Sequence, residues 1–280
     1  MDWHLRDRIL TFNARALVMG IVNVTPDSFS DGGRFAGADA AIARGLELAG
    51  EGADILDIGG ESSRPGAVAV ELDEELRRVL PVVKGLLSKI KVPLSIDTCK
   101  AGVARACLEA GAHIVNDITA LTGDPEMFEA VRSGGAGVIL MHMQGTPATM
   151  QIDPRYDDVV KDISDFLLQR LQDVVARGLA LEKIALDPGI GFGKTHQHNL
   201  ELVARLAEFQ RLGRPICLGA SRKGFIGKIT GRPLDQRMVG SVAIVCHALA
   251  HGAAQIVRVH DVAQTRDAVL LFEALAKLGK

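Results

Sequence analysis

The sequence predicts an α/β fold: a single (β/α)8 barrel of the TIM barrel type, with a short N-terminal extension. Short runs rich in β-branched residues alternate with longer amphipathic segments, and this alternation supplies eight strand candidates without a Pro/Ser-rich linker. The chain has 280 residues, of which 48% are hydrophobic, so it is long and apolar enough to bury a barrel core. We therefore expect one domain over residues 1–280.

The predicted strands are nearly continuous apolar runs, because helices cover one face of a barrel strand and packed side chains fill the other. They lie at residues 17–22, 54–58, 94–96, 113–115, 137–141, 184–186, 216–218 and 255–259. Predicted helices lie at 38–49, 71–87, 103–110, 156–176, 199–212, 236–251 and 264–278. The first dozen residues are expected to close the barrel bottom. An open, doubly wound sheet is the competing architecture.

Several predicted helices end in glycine just before the next strand. Glycine adopts the left-handed conformation that ends many helices. We expect such caps at Gly52, Gly111, Gly178, Gly213 and Gly252.

Composition limits the partners. The formal net charge is -2 and the Lys and Arg residues are scattered, which argues against a nucleic-acid surface or a polybasic membrane anchor. The four cysteines form no metal-binding spacing and are predicted to be small buried residues of a reducing compartment. The amino terminus lacks the apolar stretch of a signal peptide, and no apolar run is long enough to span a membrane. We expect a cytoplasmic protein.

Polar or glycine-rich residues follow nearly every predicted strand, whereas the amino ends of the strands carry ordinary turn residues. In a barrel the loops after the strands converge on one mouth, where active sites are found. The pattern therefore predicts a site at this rim, built from Asn23, Asp97, Asn116, Asp187, Lys223, Arg258 and His260.

Two nucleotide-binding motifs fail on inspection. The run GKT at 193–195 ends like a phosphate-binding P-loop, but Pro188 stands where that motif requires glycine. Gly189 and Gly191 are followed by Lys194 where the dinucleotide fingerprint requires glycine. A metal site at residues 141–143 or 196–198 is not favoured, since a lone His pair on a Gly-rich loop is more often solvated.

Five of the polar clusters together resemble the signature segments of the dihydropteroate synthase family. They are MGIVNVTPDSFSDGG at 19–33, DIGGESSRPGA at 57–67, DPGIGFGK at 187–194, GASRK at 219–223 and RVHDV at 258–262. The resemblance runs in order from about Val18 to the last helix. Ser63 departs from it, because the family usually has Thr there; the hydroxyl is kept and a methyl is lost.

The resemblance implies a transferase of folate biosynthesis. Such enzymes condense 6-hydroxymethyl-7,8-dihydropterin pyrophosphate with p-aminobenzoate to give 7,8-dihydropteroate and pyrophosphate. A Mg²⁺ cofactor, a homodimer and inhibition by sulfonamide analogues of p-aminobenzoate are likewise implied.

For the pterin, the resemblance implies a pocket of Asp97, Asn116, Met141, Asp187, Phe192 and Lys223. A carboxylate such as Asp187 can accept two parallel hydrogen bonds from the pyrimidinone edge, and Asn116 supplies both a donor and an acceptor. The alternative for Asp97 and Asn116 is that they cap the helices after their strands.

For the pyrophosphate, the resemblance implies contacts from Asn23, Ser63, Arg258 and His260, with Asn23 also the protein ligand of Mg²⁺. Preplaced cations and donors stabilise charge that grows on a leaving group. Together with Lys223, the residues Asn23, Arg258 and His260 are the expected catalytic set. The alternative for Arg258 is a surface ion pair with Asp261.

For the p-aminobenzoate, the resemblance implies contacts from Phe29, Arg64, Pro65, Phe192 and Ser221. Ser221 could instead be a simple helix cap, and Phe192 a core residue. The loops at 24–37 and 60–69 are expected to close over bound pyrophosphate, so that the pterin substrate binds first.

Two other functions share parts of this pattern. A methyltransferase that uses methyltetrahydrofolate would keep the Asp/Asn pterin contacts but has no need for the pyrophosphate and aminobenzoate loops. A non-catalytic pterin-binding paralogue would be favoured by loss of Lys223, Arg258 or Asn23, and all three are present.

Overall fold

The computed structural model describes residues 1–12, 15–25 and 34–278. An antiparallel hairpin of β1 (Asp2–His4) and β2 (Ile9–Thr11) precedes an eight-stranded parallel sheet. The strands of this sheet are β3 (Leu17–Asn23), β4 (Ile55–Gly59), β5 (Leu94–Asp97), β6 (Ile114–Asp117), β7 (Gly137–Met141), β8 (Ile184–Asp187), β9 (Cys217–Leu218) and β10 (Ile256–Val259).

The sheet closes on itself. Its strands pair in the order β8-β7-β6-β5-β4-β3-β10-β9. A parallel bridge between Leu186 and Ile216, with the amide of Leu186 donating to the carbonyl of Pro215 at 2.9 Å, joins the two ends of that order. A doubly wound sheet would keep two free edges, so the barrel prediction is confirmed.

Helices cover the outside of the barrel. They are α1 (Arg34–Gly50), α2 (Leu72–Leu87), α3 (Ala101–Ala110), α4 (Met127–Gly134), α5 (Val159–Ala176), α6 (His196–Ala204), α7 (Gly224–Thr230), α8 (Met238–Ala250) and α9 (Val262–Leu278). The predicted helix at 199–212 divides into α6 and a 3₁₀ segment, Leu206–Leu212. Helix α1 begins at Arg34, inside the loop predicted at 24–37, and residues 26–33 of that predicted loop lie outside the described residues. The five glycines predicted to cap helices all have positive φ, between 59° and 114°.

The hairpin closes the bottom of the barrel, as predicted. Trp3 is fully buried, and its indole Nε1 donates to the carbonyl of Lys183 at 2.9 Å. It packs in a cluster with inward-facing strand residues, among them Met19, Ile55 and Ile114. Among the described helices, none combines the length and the apolarity that a bilayer crossing requires.

Cysteine burial is only partly as predicted. Cys107 and Cys217 are buried, Cys99 is partly buried, and Cys246 is exposed. The prediction is wrong for Cys246 because α8 buries Ser241 and Val245 at helical spacing and turns the next position outward.

Candidate active site

The two-residue period of the strands creates a polar layer above an apolar one. Successive inward-facing positions on a strand are two residues apart, so a residue two places after a core residue lies on the same face. The apolar cluster at the barrel bottom contains Ile55, Ile114, Ala185 and Ile256, and two residues later come Asp57, Asn116, Asp187 and Arg258. The carboxyl ends of the strands therefore present polar side chains to the barrel interior.

These side chains meet in one cavity at the carboxyl rim. It is lined by Ser63, Asp97, Asn116, Ile118, Met141, Asp187, Gly189, Ile190, Phe192, Gly219, Lys223 and Arg258. Of the seven rim residues expected to lie together, Asp97, Asn116, Asp187, Lys223 and Arg258 line it. Asn23 and His260 are not among its lining residues. Asn23 pairs in register with Gly59, which pairs with Asp97, and His260 follows the lining residue Arg258 by two positions.

Arg258 is held by two carboxylates. Its Nε donates to Oδ2 of Asp57 at 2.6 Å, and its Nη2 donates to Oδ2 of Asp97 at 2.6 Å. The side-chain amide of Asn116 also donates to Oδ2 of Asp57, at 3.0 Å. The alternative pairing of Arg258 with Asp261 is wrong, because Asp261 accepts from Nε of Arg222 at 3.0 Å.

The single positive charge of Arg258 cannot neutralise both Asp57 and Asp97, so ionising both carboxylates leaves a net negative charge. Burial raises the pKa of Asp97 to about 7; the neighbouring carboxylates of Asp57, Glu75 and Asp117 push it the same way, while Arg258 opposes them. Asp97 therefore changes protonation near neutral pH. Carboxylates with such raised pKa values are concentrated at functional sites.

The helix-capping alternative for Asp97 and Asn116 is wrong. Helix α3 begins at Ala101 with Lys100 at its cap, and the side chains of Asp97 and Asn116 are directed to Arg258 and Asp57 instead. The adjacent Asp117 binds the local backbone, accepting from the amides of Thr119 and Leu121 at 2.8 and 2.9 Å.

Asp187 is buried with one oxygen fixed by the backbone. The amide of Gly189 donates to its Oδ1 at 2.6 Å. A Cβ built on Gly219 would stand 3.6 Å from Oδ2, so glycine leaves the space beside this oxygen open. Burial raises the pKa of Asp187, while the Gly189 amide and the charges of Lys223 and Arg258 oppose the rise.

Lys223 projects over an aromatic ring. Its Nζ lies 4.1 Å from the centroid of Phe192, a cation–π contact. Burial and the nearby charge of Arg258 lower the pKa of Lys223 to about 8. Gly191, with φ of 87°, would place a Cβ 3.0 Å from Cδ of Lys223, so glycine is needed there. Phe192 is half-buried and lines the cavity, which excludes the core alternative.

Ser221 and His260 are bonded to each other. Oγ of Ser221 lies 2.9 Å from Nδ1 of His260 and accepts from the His260 amide at 3.2 Å. Burial, aided by Arg258 and Arg222, lowers the pKa of His260 to about 4, so the ring is neutral at pH 7. The capping alternative for Ser221 is wrong, because α7 begins at Gly224 with Lys223 at its cap.

The predicted aminobenzoate residues are only partly brought together. Phe192 and Ser63 line the cavity, whereas Ser221 is buried beside His260 and is not among its lining residues. Arg64 and Pro65 are exposed on the loop before α2 and do not line it. Phe29 lies outside the described residues.

Sequence reasoning missed two buried residues of this site. Asp57 was seen only as the start of a cluster, although a carboxylate inside an apolar strand, at the parity of the other rim residues, could have identified it. Lys194 is 2% exposed; its Nζ donates to the carbonyl of Phe192 at 2.8 Å and lies 3.0 Å from Nδ1 of His142. These contacts of Lys194 fix the loop that carries Phe192 against His142.

A magnesium ion fits the donor chemistry here only with help from a phosphate group. In the described part of the chain, no group of three or more His, Cys, Asp or Glu residues is placed to hold a metal. Mg²⁺ commonly uses one or two protein oxygens together with waters and substrate phosphates. The amide oxygen of Asn23, half-buried at the end of β3, is a donor of the type that such a coordination uses.

Comparisons with known proteins agree with this geometry. Residues 19–260 match the family model described as pterin binding enzyme. The chain is 46% identical over 257 residues to the dihydropteroate synthase of Escherichia coli K12, covering 92% of this chain and 90% of that protein.

Two solved structures are similar over almost the whole chain. Yersinia pestis dihydropteroate synthase with a sulfonamide drug complex superimposes with a TM-score of 0.93 at 45% identity, covering 99% of this chain and 100% of the other. Dihydropteroate synthase from Xanthomonas albilineans in complex with 7,8-dihydropteroate gives a TM-score of 0.88 at 44% identity, covering 99% of each chain.

Proposed function

Because the chain belongs to the dihydropteroate synthases of the pterin-binding enzyme family, we propose that its cavity joins a dihydropterin to p-aminobenzoate. The substrates are 6-hydroxymethyl-7,8-dihydropterin pyrophosphate and p-aminobenzoate, and the products are 7,8-dihydropteroate and pyrophosphate. The observation that carries the proposal is the meeting of Asp97, Asn116, Asp187, Lys223 and Arg258 in one cavity. The X. albilineans complex with 7,8-dihydropteroate supports the choice of product.

The pterin lies on the polar floor of the cavity. Oδ2 of Asp187 lies beside Gly219, where it can accept from the amino group and ring N–H of the pyrimidinone edge. Asn116 and Asp97 contact the remaining polar edge, and Met141 and Phe192 supply apolar contact. Lys223 contacts the pterin from the Phe192 side.

The reaction breaks the bond between the pterin methylene carbon and the pyrophosphate oxygen. The electron-rich ring can delocalise positive charge at the methylene, and the leaving pyrophosphate takes the bonding electrons. The amine nitrogen of p-aminobenzoate forms the new bond to carbon and gives up a proton to solvent. The arylamine is neutral at pH 7, so it needs no prior deprotonation.

Arg258 and His260 stabilise the leaving group. Charge that develops on the pyrophosphate is stabilised by donors already in place, which need little reorganisation. Negative charge on the bound pyrophosphate favours the protonated His260 ring, in which Nδ1–H donates to Oγ of Ser221 and Nε2–H remains to donate to the leaving group. Oγ also accepts from the His260 amide, so the hydroxyl proton of Ser221 is left for the p-aminobenzoate carboxylate. Asn23 and Ser63 complete the pyrophosphate contacts.

We assign Mg²⁺ to the same position, with Asn23 as its protein ligand. When bound, the ion neutralises charge on the pyrophosphate oxygens. The donor set supports this assignment, because one amide oxygen completes the phosphate-rich coordination that Mg²⁺ prefers.

The p-aminobenzoate site is completed by the loops around it. Ser221 is proposed to bind the carboxylate, with Phe192, Arg64, Pro65 and Phe29 packing around the ring. If these loops close on bound pyrophosphate, the pterin substrate binds first. The sulfonamide complex of the Y. pestis protein supports sulfonamides as competitors for this site.

A homodimer in the cytoplasm is part of the proposal. Five large apolar side chains on the last two helices are exposed, among them Val239 at 72%, Leu271 at 65% and Leu275 at 68%. Helices α8 and α9 pack against each other, and an exposed apolar patch across such a pair commonly marks a contact between subunits. The four free thiols suit a reducing compartment. Sedimentation of the purified protein at micromolar concentration would give the mass of two chains.

The experiment that tests the function is direct. The protein is incubated with the pterin pyrophosphate, Mg²⁺ and labelled p-aminobenzoate, and the products are separated by chromatography. We expect labelled dihydropteroate and an equal amount of pyrophosphate, with a sulfonamide raising the apparent KM for p-aminobenzoate. Absence of labelled product, from protein shown to be folded, would contradict the proposal.

A further inference from the structure

An ion triad with one buried member, Glu75, lies outside the proposed binding residues, at the base of the loop that carries Ser63. Nζ of Lys100 donates to Oε2 of Glu75 at 2.6 Å and also to Oε2 of Glu61. The Glu75 side chain is 1% exposed, and its Oε1 has no hydrogen-bond partner among the described residues. Lys100 and Glu61 are about one quarter exposed, at 24% and 25%. A buried carboxylate with a single charged partner depends strongly on that partner.

The triad joins three segments that surround the cavity. Glu61 is the second residue of the loop after β4, Glu75 lies in the first turn of α2, and Lys100 caps α3 shortly after β5. The amide of Lys100 donates to Oγ1 of Thr98 at 3.2 Å, and Thr98 is the neighbour of Asp97. The position of Lys100 is therefore linked to the strand end that carries Asp97.

The same loop base is fixed by its backbone. Nη1 of Arg78 donates to the carbonyl of Gly60 at 2.9 Å. A Cβ built on Gly60 would stand 2.9 Å from Cγ2 of Val79 and 3.0 Å from Cγ of Glu75, so this backbone is pressed against α2. After Ser63 the loop is more exposed to solvent: residues 61–63 are partly buried, whereas Arg64, Pro65 and Gly66 are exposed.

We propose that Lys100 is a positioning residue for the reaction: by bridging Glu61 to Glu75, it anchors the loop base and holds Ser63 at the cavity. The part of the loop that moves on substrate binding then begins at Arg64. Lys100 touches no reacting atom. It holds the Ser63 segment in place before pyrophosphate binds, so less conformational entropy is lost on binding. This inference rests on the proposed function.

The charges support this reading. Burial acts to lower the pKa of Lys100, but its bonds to the two carboxylates outweigh burial and raise it, so the ammonium stays charged throughout the neutral range. Removing the ammonium leaves two carboxylates facing each other, one of them buried. Glu61 would then be repelled from the loop base.

Two pterin probes separate this role from a general structural one. The first is the pterin pyrophosphate, which reaches Ser63, and the second is the same pterin with a free hydroxymethyl group, which does not. We expect Glu61→Gln and Lys100→Met to weaken calorimetric binding of the pyrophosphate ester about tenfold and to leave binding of the hydroxymethyl pterin within twofold. Lys100→Arg keeps the charge and should restore most of the affinity.

Glu61→Gln is the decisive variant, because it preserves the buried pair of Lys100 and Glu75 even if Lys100→Met does not fold. Hydrogen exchange of the 60–70 segment gives a readout without ligand, and faster exchange is expected in Glu61→Gln. Unchanged exchange together with unchanged affinity for the ester would overturn the inference. If the unaltered protein bound neither probe, the proposed function would fail, and hydrogen exchange alone would still decide whether the triad anchors the loop.

Discussion

Nη2 of Arg258 donates to Oδ2 of Asp97 at 2.6 Å, which ties a residue proposed to bind pyrophosphate to one proposed to bind the pterin. A pterin that uses Oδ2 of Asp97 must share or displace this contact. Nε of Arg258 keeps its bond to Asp57 in either case, so the guanidinium can turn toward the pyrophosphate without leaving its anchor. The proposed pterin site and the proposed pyrophosphate site are therefore linked through the side chain of Arg258.

Asp97 should make pterin binding depend on pH. Its pKa is raised to about 7, so the carboxylate that accepts from the pterin is lost as the pH falls below that value. We expect calorimetric affinity for the pterin to fall by up to tenfold per pH unit between about pH 7 and 5.5. Asp97→Asn should bind more weakly at pH 8 and show little change across this range. A similar pH dependence in the variant would assign the titration to another group.

The raised pKa of Asp97 makes folding stability depend on pH in the opposite direction to pterin binding: stability falls as the pH rises. The folded protein holds the Asp97 proton more tightly than an ordinary aspartic acid, whose pKa is 3.8, so this group contributes stability at acidic pH. That contribution is lost as the pH rises through the window between 3.8 and about 7. Urea unfolding at several pH values should show a smaller loss over this window in Asp97→Asn. An equal loss in both proteins would contradict the assignment.

Asp57 should matter for both stability and turnover. Asp57→Ala removes the fully buried carboxylate that holds Arg258 and Asn116, and breaking such a buried pair typically costs about 3 kcal/mol in free energy of unfolding. Asp57→Asn keeps an acceptor and should fold more stably than Asp57→Ala. Its kcat/KM should still fall at least tenfold, because Arg258 loses its anchoring charge. Activity near that of the unaltered protein in Asp57→Asn would show that Asp97 alone positions Arg258.

Lys223 should set the alkaline limit of turnover. Its pKa is lowered to about 8, so the ammonium is lost as the pH rises above that value. We expect Lys223→Ala to cut kcat severely while thermal unfolding stays close to that of the unaltered protein. Lys223→Arg keeps its charge at high pH, so whatever activity remains should no longer decline above pH 8. Near-normal turnover in Lys223→Ala would remove this residue from the site.

Ser221→Ala should weaken binding of p-aminobenzoate and leave binding of the pterin nearly unchanged. If the hydroxyl binds the aminobenzoate carboxylate, its loss removes a hydrogen bond to a charged group, worth about 1.5 to 3 kcal/mol. The KM for p-aminobenzoate should rise at least tenfold while calorimetric affinity for the pterin stays within twofold. Parallel loss of both would indicate that the contact with His260 is the main role of Ser221.

Trp3 should stabilise the barrel from below without affecting catalysis. Replacing a fully buried Trp by Ala typically costs about 3 to 5 kcal/mol, and Trp3 also loses its bond to the Lys183 carbonyl. Urea unfolding of Trp3→Ala should show this loss with unchanged KM values. Ile9→Ala, in the same hairpin but 56% exposed, is the matched control and should change stability by well under 1 kcal/mol. Equal effects of the two changes would mean that the hairpin does not close the core.

The rim was predictable because it follows from strand parity. Asp187 and Arg258 each end an apolar run, and the carboxyl ends of barrel strands converge. Side-chain contacts that depend on the register between distant strands could not be predicted from the sequence. The contact of Ser221 with His260 depends on the pairing of Cys217 with Ile256, which no local pattern encodes.

Short or weak elements were also missed. Helix α7, with the sequence GFIGKIT, contains two glycines that lower its helix propensity, and only tertiary packing fixes it. Asp57 was passed over as a site residue because the sequence does not show which cation it would face. Arg258, 201 positions later, supplies that cation only once the barrel has closed.

Calorimetry on Asp187→Ala tests the pterin pocket most directly. The unaltered protein should bind the pterin pyrophosphate in the presence of Mg²⁺, and Asp187→Ala, with its fold verified by circular dichroism, should show no measurable binding heat. Binding of equal affinity in the two proteins would mean that the cavity at the carboxyl rim does not recognise the pterin through Asp187.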